Sequence, residues 1–244
     1  MIKITLFILF LFFPGILPAQ TASSYNSYDE VTYSQSPLLK GYLCKPSETG
    51  PYPAVIFNHG GKGNIIGGDP KGICQALAKD GFIGFSPIRR PDTSMPGRMA
   101  DIFAALTYLQ NVPKVDRNRI GMIGFSSGGL ITYVSGTRYP ELKALVIMAA
   151  APPPDNRNFE TGAFRILAPV LLLVAQNDNV HQGVDHVANM KRIDKALKKA
   201  GKKVELIVYP PYGTDGHKLF YEVGDYWQDV ITFLKTIFFN PRTV

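Results

Sequence analysis

The chain has 244 residues, 45% of them hydrophobic and only 18% charged, which supplies one sizeable core and excludes a disordered chain. The formal charge of +7 is modest for this length, and much of it lies in Lys191, Arg192, Lys195, Lys198, Lys199, Lys202 and Lys203, a segment where Ile193, Ala196, Leu197 and Ala200 keep a helical spacing and the cations form a solvated face. No aromatic residues interleave with those cations and no nucleic-acid motif is visible, so nucleic acid is excluded as a partner.

The N-terminus reads Met1-Ile2-Lys3, then an apolar run from Ile4 to Phe13, then Pro14-Gly15-Ile16-Leu17-Pro18-Ala19-Gln20. Charge, greasy stretch and small-residue exit make residues 1–19 a secretory signal with cleavage expected after Ala19. Pro14 and Gly15 interrupt the run, which falls short of the roughly 20 residues a spanning helix needs, so no stable membrane span is expected after cleavage and the product is expected to be secreted or periplasmic. Export would let Cys44 and Cys74 pair, although two small buried residues is an equally open reading. Residues 20–28 are rich in Ser, Thr, Asn and Ala and read as a flexible leader. A catalytic domain is expected over residues 29–241.

From there, strand and helix patterns alternate. Val31 to Tyr33 and Leu38 to Cys44 read as an opening antiparallel pair, and Ala54-Val55-Ile56-Phe57 as a strand apolar on both faces, which implies cover on both sides. A helix over Gly72 to Asp80, a strand over Gly81 to Ser86, a helix over Arg98 to Gln110 and a strand over Arg119 to Gly124 follow. Then come a helix from Ser127 to Tyr139, strands at Ala144 to Met148 and Val170 to Ala175, the basic helix, a strand at Val204 to Tyr209 and a helix over Val223 to Phe239. Buried strands alternating with helices require a mostly parallel central sheet with helices on both faces, an α/β architecture. Ala151 to Ala168, with Pro152-Pro153-Pro154, is either a lid-like insertion or a surface loop. There is no room for a large cap domain.

The sharpest motif is Gly124-Phe125-Ser126-Ser127-Gly128, between a strand and a helix. A G-x-S-x-G at such a turn holds its serine in a strained, exposed position. A serine hydroxyl needs a base, and the chain has His59, His181, His186 and His217. His217 is the best placed, in a polar loop after the strand ending at Tyr209, where strand carboxyl ends gather a site. The imidazole needs a carboxylate. Asp178 follows the strand ending at Ala175 and gives the order Ser, Asp, His; Asp155, Asp185 and Asp215 are its competitors. Amides of Ser127 and of Gly61, in His59-Gly60-Gly61-Lys62-Gly63, are the candidate oxyanion donors. Arg89 and Arg90 are weaker candidates for holding a substrate carboxylate. Trp227 reads as core. His181 and His186 have no Cys or acidic cluster at ligand spacing, so no metal site is expected.

The His59-Gly60-Gly61 loop, the Ser126 turn, Asp178 and His217 together resemble the dienelactone hydrolase family of α/β-hydrolases, and more loosely the catalytic domains of the prolyl oligopeptidase group, over about Val31 to Phe238. The resemblance implies acyl transfer through a covalent acyl-enzyme with no metal or organic cofactor. The dienelactone hydrolases proper carry cysteine at the elbow and are typically cytosolic, whereas this chain has serine and an export signal. The expected activity is therefore a serine hydrolase acting on a small-molecule or polymer-borne ester. A peptidase or amidase is the enzymatic alternative, and a binding module on the same fold the non-enzymatic one.

Overall fold

The computed structural model describes residues 27–47, 49–62, 64–91, 94–152, 159–179 and 181–240. The signal, most of the leader, and Pro153, Pro154 and Asp155 lie outside the described residues. The elements run β1 (Asp29–Gln35), β2 (Leu38–Cys44), β3 (Tyr52–Asn58), α1 (Pro70–Lys79), β4 (Ile83–Pro87), α2 (Met95–Gln110), β5 (Val115–Phe125), α3 (Ser127–Gly136), β6 (Ala144–Met148), α4 (Glu160–Ala163), β7 (Val170–Ala175), α5 (His186–Lys199), β8 (Val204–Tyr209), a 3₁₀ turn (Gly216–Phe220) and α6 (Trp227–Phe239).

The eight strands form one sheet in the order β1-β2-β4-β3-β5-β6-β7-β8. β2 pairs antiparallel with β1 and with β4, and every other pairing is parallel. Alternate side chains on the central strands enter opposite layers, as strand geometry dictates. Ala54 and Ile56 of β3, Leu145 and Ile147 of β6, and Leu172 and Val174 of β7 pack with Ile102, Leu106, Ile193 and Leu197 of α2 and α5. Val55, Phe57, Val146, Leu171 and Leu173 pack with Ile73, Leu77, Trp227 and Leu234 of α1 and α6. The apolar runs read as buried strands are buried on both faces, which is what a covered parallel sheet requires. Trp227 is core, and its indole N–H donates to Asp80 at 3.1 Å.

Cys44 of β2 and Cys74 of α1 are joined in a disulfide, with their Cα atoms 5.5 Å apart, which resolves the open choice between pairing and simple burial. Helix boundaries moved by a few residues. Ser94 caps α2 from its hydroxyl, so that helix starts before Arg98, and α6 starts at Trp227 rather than Val223. Within the long non-periodic stretch, α4 makes one short turn and Phe159 packs edge-on against Tyr133 at 4.9 Å.

Candidate active site

The carboxyl ends of β3, β5, β7 and β8 bring the chemistry together. β5 runs directly into α3, and Ser126 stands between them with φ 55° and ψ −118°, a left-handed conformation that costs a non-glycine residue of order 1–3 kcal/mol. The surroundings enforce it. The Ser126 amide donates to the Met148 carbonyl at 2.9 Å, and its carbonyl accepts from Leu130 and from Ala151. Gly128 must be glycine, because a Cβ there would stand 1.9 Å from the Asn58 carbonyl oxygen and 2.5 Å from that of His59. The helix can only start this close to β3 without a side chain.

Asp178 lies just past β7 and is fully buried; His217 lies in the 3₁₀ turn and is 2% exposed. The His217 Nδ1–H donates to Asp178 Oδ2 at 2.8 Å, which leaves Nε2 as the ring's lone-pair atom. Asn177 joins the two loops: its amide nitrogen donates to the Gly213 carbonyl at 3.1 Å, and its carbonyl oxygen accepts the Tyr212 amide at 2.9 Å. Of the competing carboxylates, the two among the described residues have other partners. Asp185 caps α5 by accepting the Ala188 amide at 2.8 Å. Asp215 accepts the His217 amide at 3.1 Å through one oxygen and the His181 Nδ1–H at 2.9 Å through the other.

Ser126, Ser127, Gly61 and His217 line one cavity of about 410 Å³, together with His181, His186, Arg98, Lys62 and Tyr221. Gly61 has φ +87°, and a Cβ on it would stand 2.0 Å from the Ile65 carbonyl oxygen, so this turn accepts glycine alone. Its carbonyl accepts the Ser127 hydroxyl at 2.7 Å.

Arg89 and Arg90, the candidates for holding a substrate carboxylate, are not among the cavity's lining residues. Arg89 is 8% exposed and turns inward, its guanidinium donating to the His59 carbonyl at 2.7 Å and its amide to His59 Nε2 at 3.3 Å. Burial, and then repulsion from Arg98, holds Arg89 down to about 10. Arg90 donates to the buried carboxylate of Asp101 at 2.6 Å. Both arginines therefore brace the site's frame, and Arg98, one turn into α2, is the arginine that reaches the cavity. His59 completes that frame: its Nδ1 bonds the Gly60 carbonyl at 2.7 Å, and burial with the Arg89 charge pushes its pKa down to about 3.

His181 and His186 also converge here, which sequence spacing did not reveal because both arrive in the loop and first turn between β7 and α5. One donor atom from each of Asp178, His186 and His217 lies within 4.8 Å of the others, so an acidic partner is at hand after all. Two of the three are already joined by the 2.8 Å hydrogen bond. The His181 ring stacks on His217 with an interplanar angle of 20°, and the His186 ring packs against it tilted by 31°.

Comparison with known proteins places the chain among related folds and sequences. A Methylorubrum extorquens protein with the provisional name carboxymethylenebutenolidase is 29% identical over 210 residues, 75% of this chain and 69% of the relative. A Bradyrhizobium protein provisionally named a 2-oxo-3-(5-oxofuran-2-ylidene)propanoate lactonase is 25% identical over 236 residues, covering 83% and 91% of the two chains. The crystal structure of a provisionally named dienelactone hydrolase from Klebsiella pneumoniae superposes with a TM-score of 0.67 at 21% identity, covering 85% of this chain and 98% of that one. The model of the dienelactone hydrolase family matches residues 89–238, and the chain belongs to that family of α/β-hydrolases.

Proposed function

We propose that the chain is a serine hydrolase of carboxylic esters or lactones, with Ser126 as nucleophile, His217 as base and Asp178 as its partner. The observation that carries this reading is the buried 2.8 Å bond from His217 to Asp178 in the same cavity wall as the strained Ser126. The Ser126 hydroxyl gives its proton to His217 Nε2 as its oxygen bonds the substrate carbonyl carbon. Asp178 holds the ring tautomer and steadies the imidazolium. The amides of Ser127 and Gly61 are the donors for the developing oxyanion. Collapse breaks the bond to the leaving oxygen, which takes the proton from His217. Water then attacks the acyl-enzyme, passing a proton to His217, and Ser126 leaves with it. The names of the two bacterial relatives favour lactones among the possible substrates.

A panel of p-nitrophenyl esters, lactones and peptide anilides tests the reading, with Ser126→Ala alongside. Ester or lactone turnover lost in the variant is expected; turnover retained by Ser126→Ala would overturn it, and anilide cleavage alone would move the assignment to a peptidase. Residues 1–19 are proposed as a cleaved export signal, a reading supported by the Cys44–Cys74 disulfide. N-terminal sequencing of the exported chain should begin at Gln20.

A further inference from the structure

The bond to Asp178 fixes His217 at a single ring atom, and the structure supplies more restraint than that bond alone. The His181 ring lies flat against one face, with centroids 4.1 Å apart and planes 20° from parallel. His186 packs against the ring at 4.3 Å, tilted by 31°, and is tied by its own Nδ1 to the Ala150 carbonyl at 3.1 Å, while Phe125 closes in at 4.7 Å. His181 is itself anchored: its Nδ1–H donates to one oxygen of Asp215 at 2.9 Å, while the other oxygen of the same carboxylate accepts the main-chain amide of His217 at 3.1 Å. One carboxylate therefore holds both the backbone of the candidate base and the ring that stacks on it.

Resting on the serine-hydrolase reading, we propose that His181 and Asp215 form a second His–carboxylate pair that positions the imidazole of His217 for attack and proton transfer. The chemistry needs such a device. Torsion about the bond joining an imidazole to its Cβ has broad, shallow minima, so a ring held at Nδ1 alone can tilt and carry Nε2 away from the serine. Displacement of about 1 Å in a reacting group can cost on the order of a hundredfold in rate. A flat ring against His217, fastened to the same turn, removes that tilt. Burial pushes the Asp215 carboxyl up, but bonds from His181 and the His217 amide outweigh it and hold it below the usual carboxylate range, so the anchor is anionic. His186 stays neutral, burial and then the neighbouring His217 lowering its pKa. Lys62 and Arg98 are the lysine and arginine of the cavity wall.

The test is steady-state hydrolysis of p-nitrophenyl acetate, with thermal unfolding, for the wild type, His181→Ala, His181→Phe, Asp215→Ala and the His181→Ala/Asp215→Ala double variant. His181→Ala is expected to lower kcat about tenfold to a hundredfold with KM and Tm little changed. His181→Phe, which keeps a flat ring, should recover part of that loss. The double variant should be no slower than the slower single variant, as expected of residues acting as one unit. Wild-type kcat in His181→Ala, or equal loss of kcat and Tm in the Ala and Phe variants, would overturn the proposal. A Ser126→Ala control as active as wild type would instead remove the serine-hydrolase reading, and this proposal with it.

Discussion

The Ser127 hydroxyl donates to the Gly61 carbonyl across 2.7 Å, so the residue next to the candidate nucleophile also holds the loop that faces it. Both proposed oxyanion donors, the amides of Ser127 and Gly61, are thereby set at a fixed spacing. Ser127→Ala keeps its own amide and loses only the tie. A hydrogen bond of this kind contributes about 1 kcal/mol, so kcat/KM should fall about threefold to tenfold, with KM little altered. An unchanged kcat/KM would show that the loop keeps its place unaided.

Gly128 packs against the end of β3 more closely than any side chain allows. In Gly128→Ala the new methyl meets backbone carbonyl oxygens at 1.9 and 2.5 Å, which flexible side chains cannot relieve. Overpacking of this kind costs on the order of 1–3 kcal/mol, and the upper end is expected here. Urea unfolding should show a lower midpoint, with ester turnover reduced because the helix carrying Ser126 must shift.

His59 and His186 are both buried in the neutral form, the first held to about 3 and the second lowered by burial and by His217. In the unfolded chain both would titrate near about 6.5. Below that pH the unfolded chain binds protons that the folded one refuses. The stability they contribute is therefore present above about pH 6.5 and lost as the pH falls toward the folded values, by at most about 1.4 kcal/mol per pH unit for each histidine. Urea unfolding at about pH 7 and about pH 5 should show that decline, and His59→Gln should flatten it.

The Cys44–Cys74 disulfide closes a loop with a sequence separation of 30. By the chain-entropy relation such a cross-link contributes about 3–4 kcal/mol. Thermal unfolding with and without reductant should differ accordingly, and a Cys44→Ser/Cys74→Ser variant should match the reduced protein. Equal Tm values in both conditions would contradict the bridge.

Where a residue's place in the fold follows from its own segment, the sequence was readable. Val55, Ile56 and Phe57 are apolar on both faces and lie in a strand covered on both sides. Ser126 follows a strand and opens a helix, and Asp178 and His217 sit at strand carboxyl ends that the topology gathers. Where the role depends on how loops meet in space, it was hidden. Arg89 and Arg90 follow β4 just as a substrate-binding pair would, yet the His59 carbonyl and the buried Asp101 carboxylate draw both away. His181 and His186 carry no local pattern; only the β7-to-α5 crossover brings them onto His217. Asp215 looked too close in sequence to serve His217, and that nearness is what lets it bond the His217 amide.

The role of Ser126 as nucleophile is tested most directly by covalent labelling of the folded protein with a fluorophosphonate, followed by peptide mapping. A single adduct is expected on the peptide bearing Ser126, absent from Ser126→Ala and formed far more slowly in His217→Ala. An unlabelled Ser126, or an adduct at another residue that persists in Ser126→Ala, would contradict it.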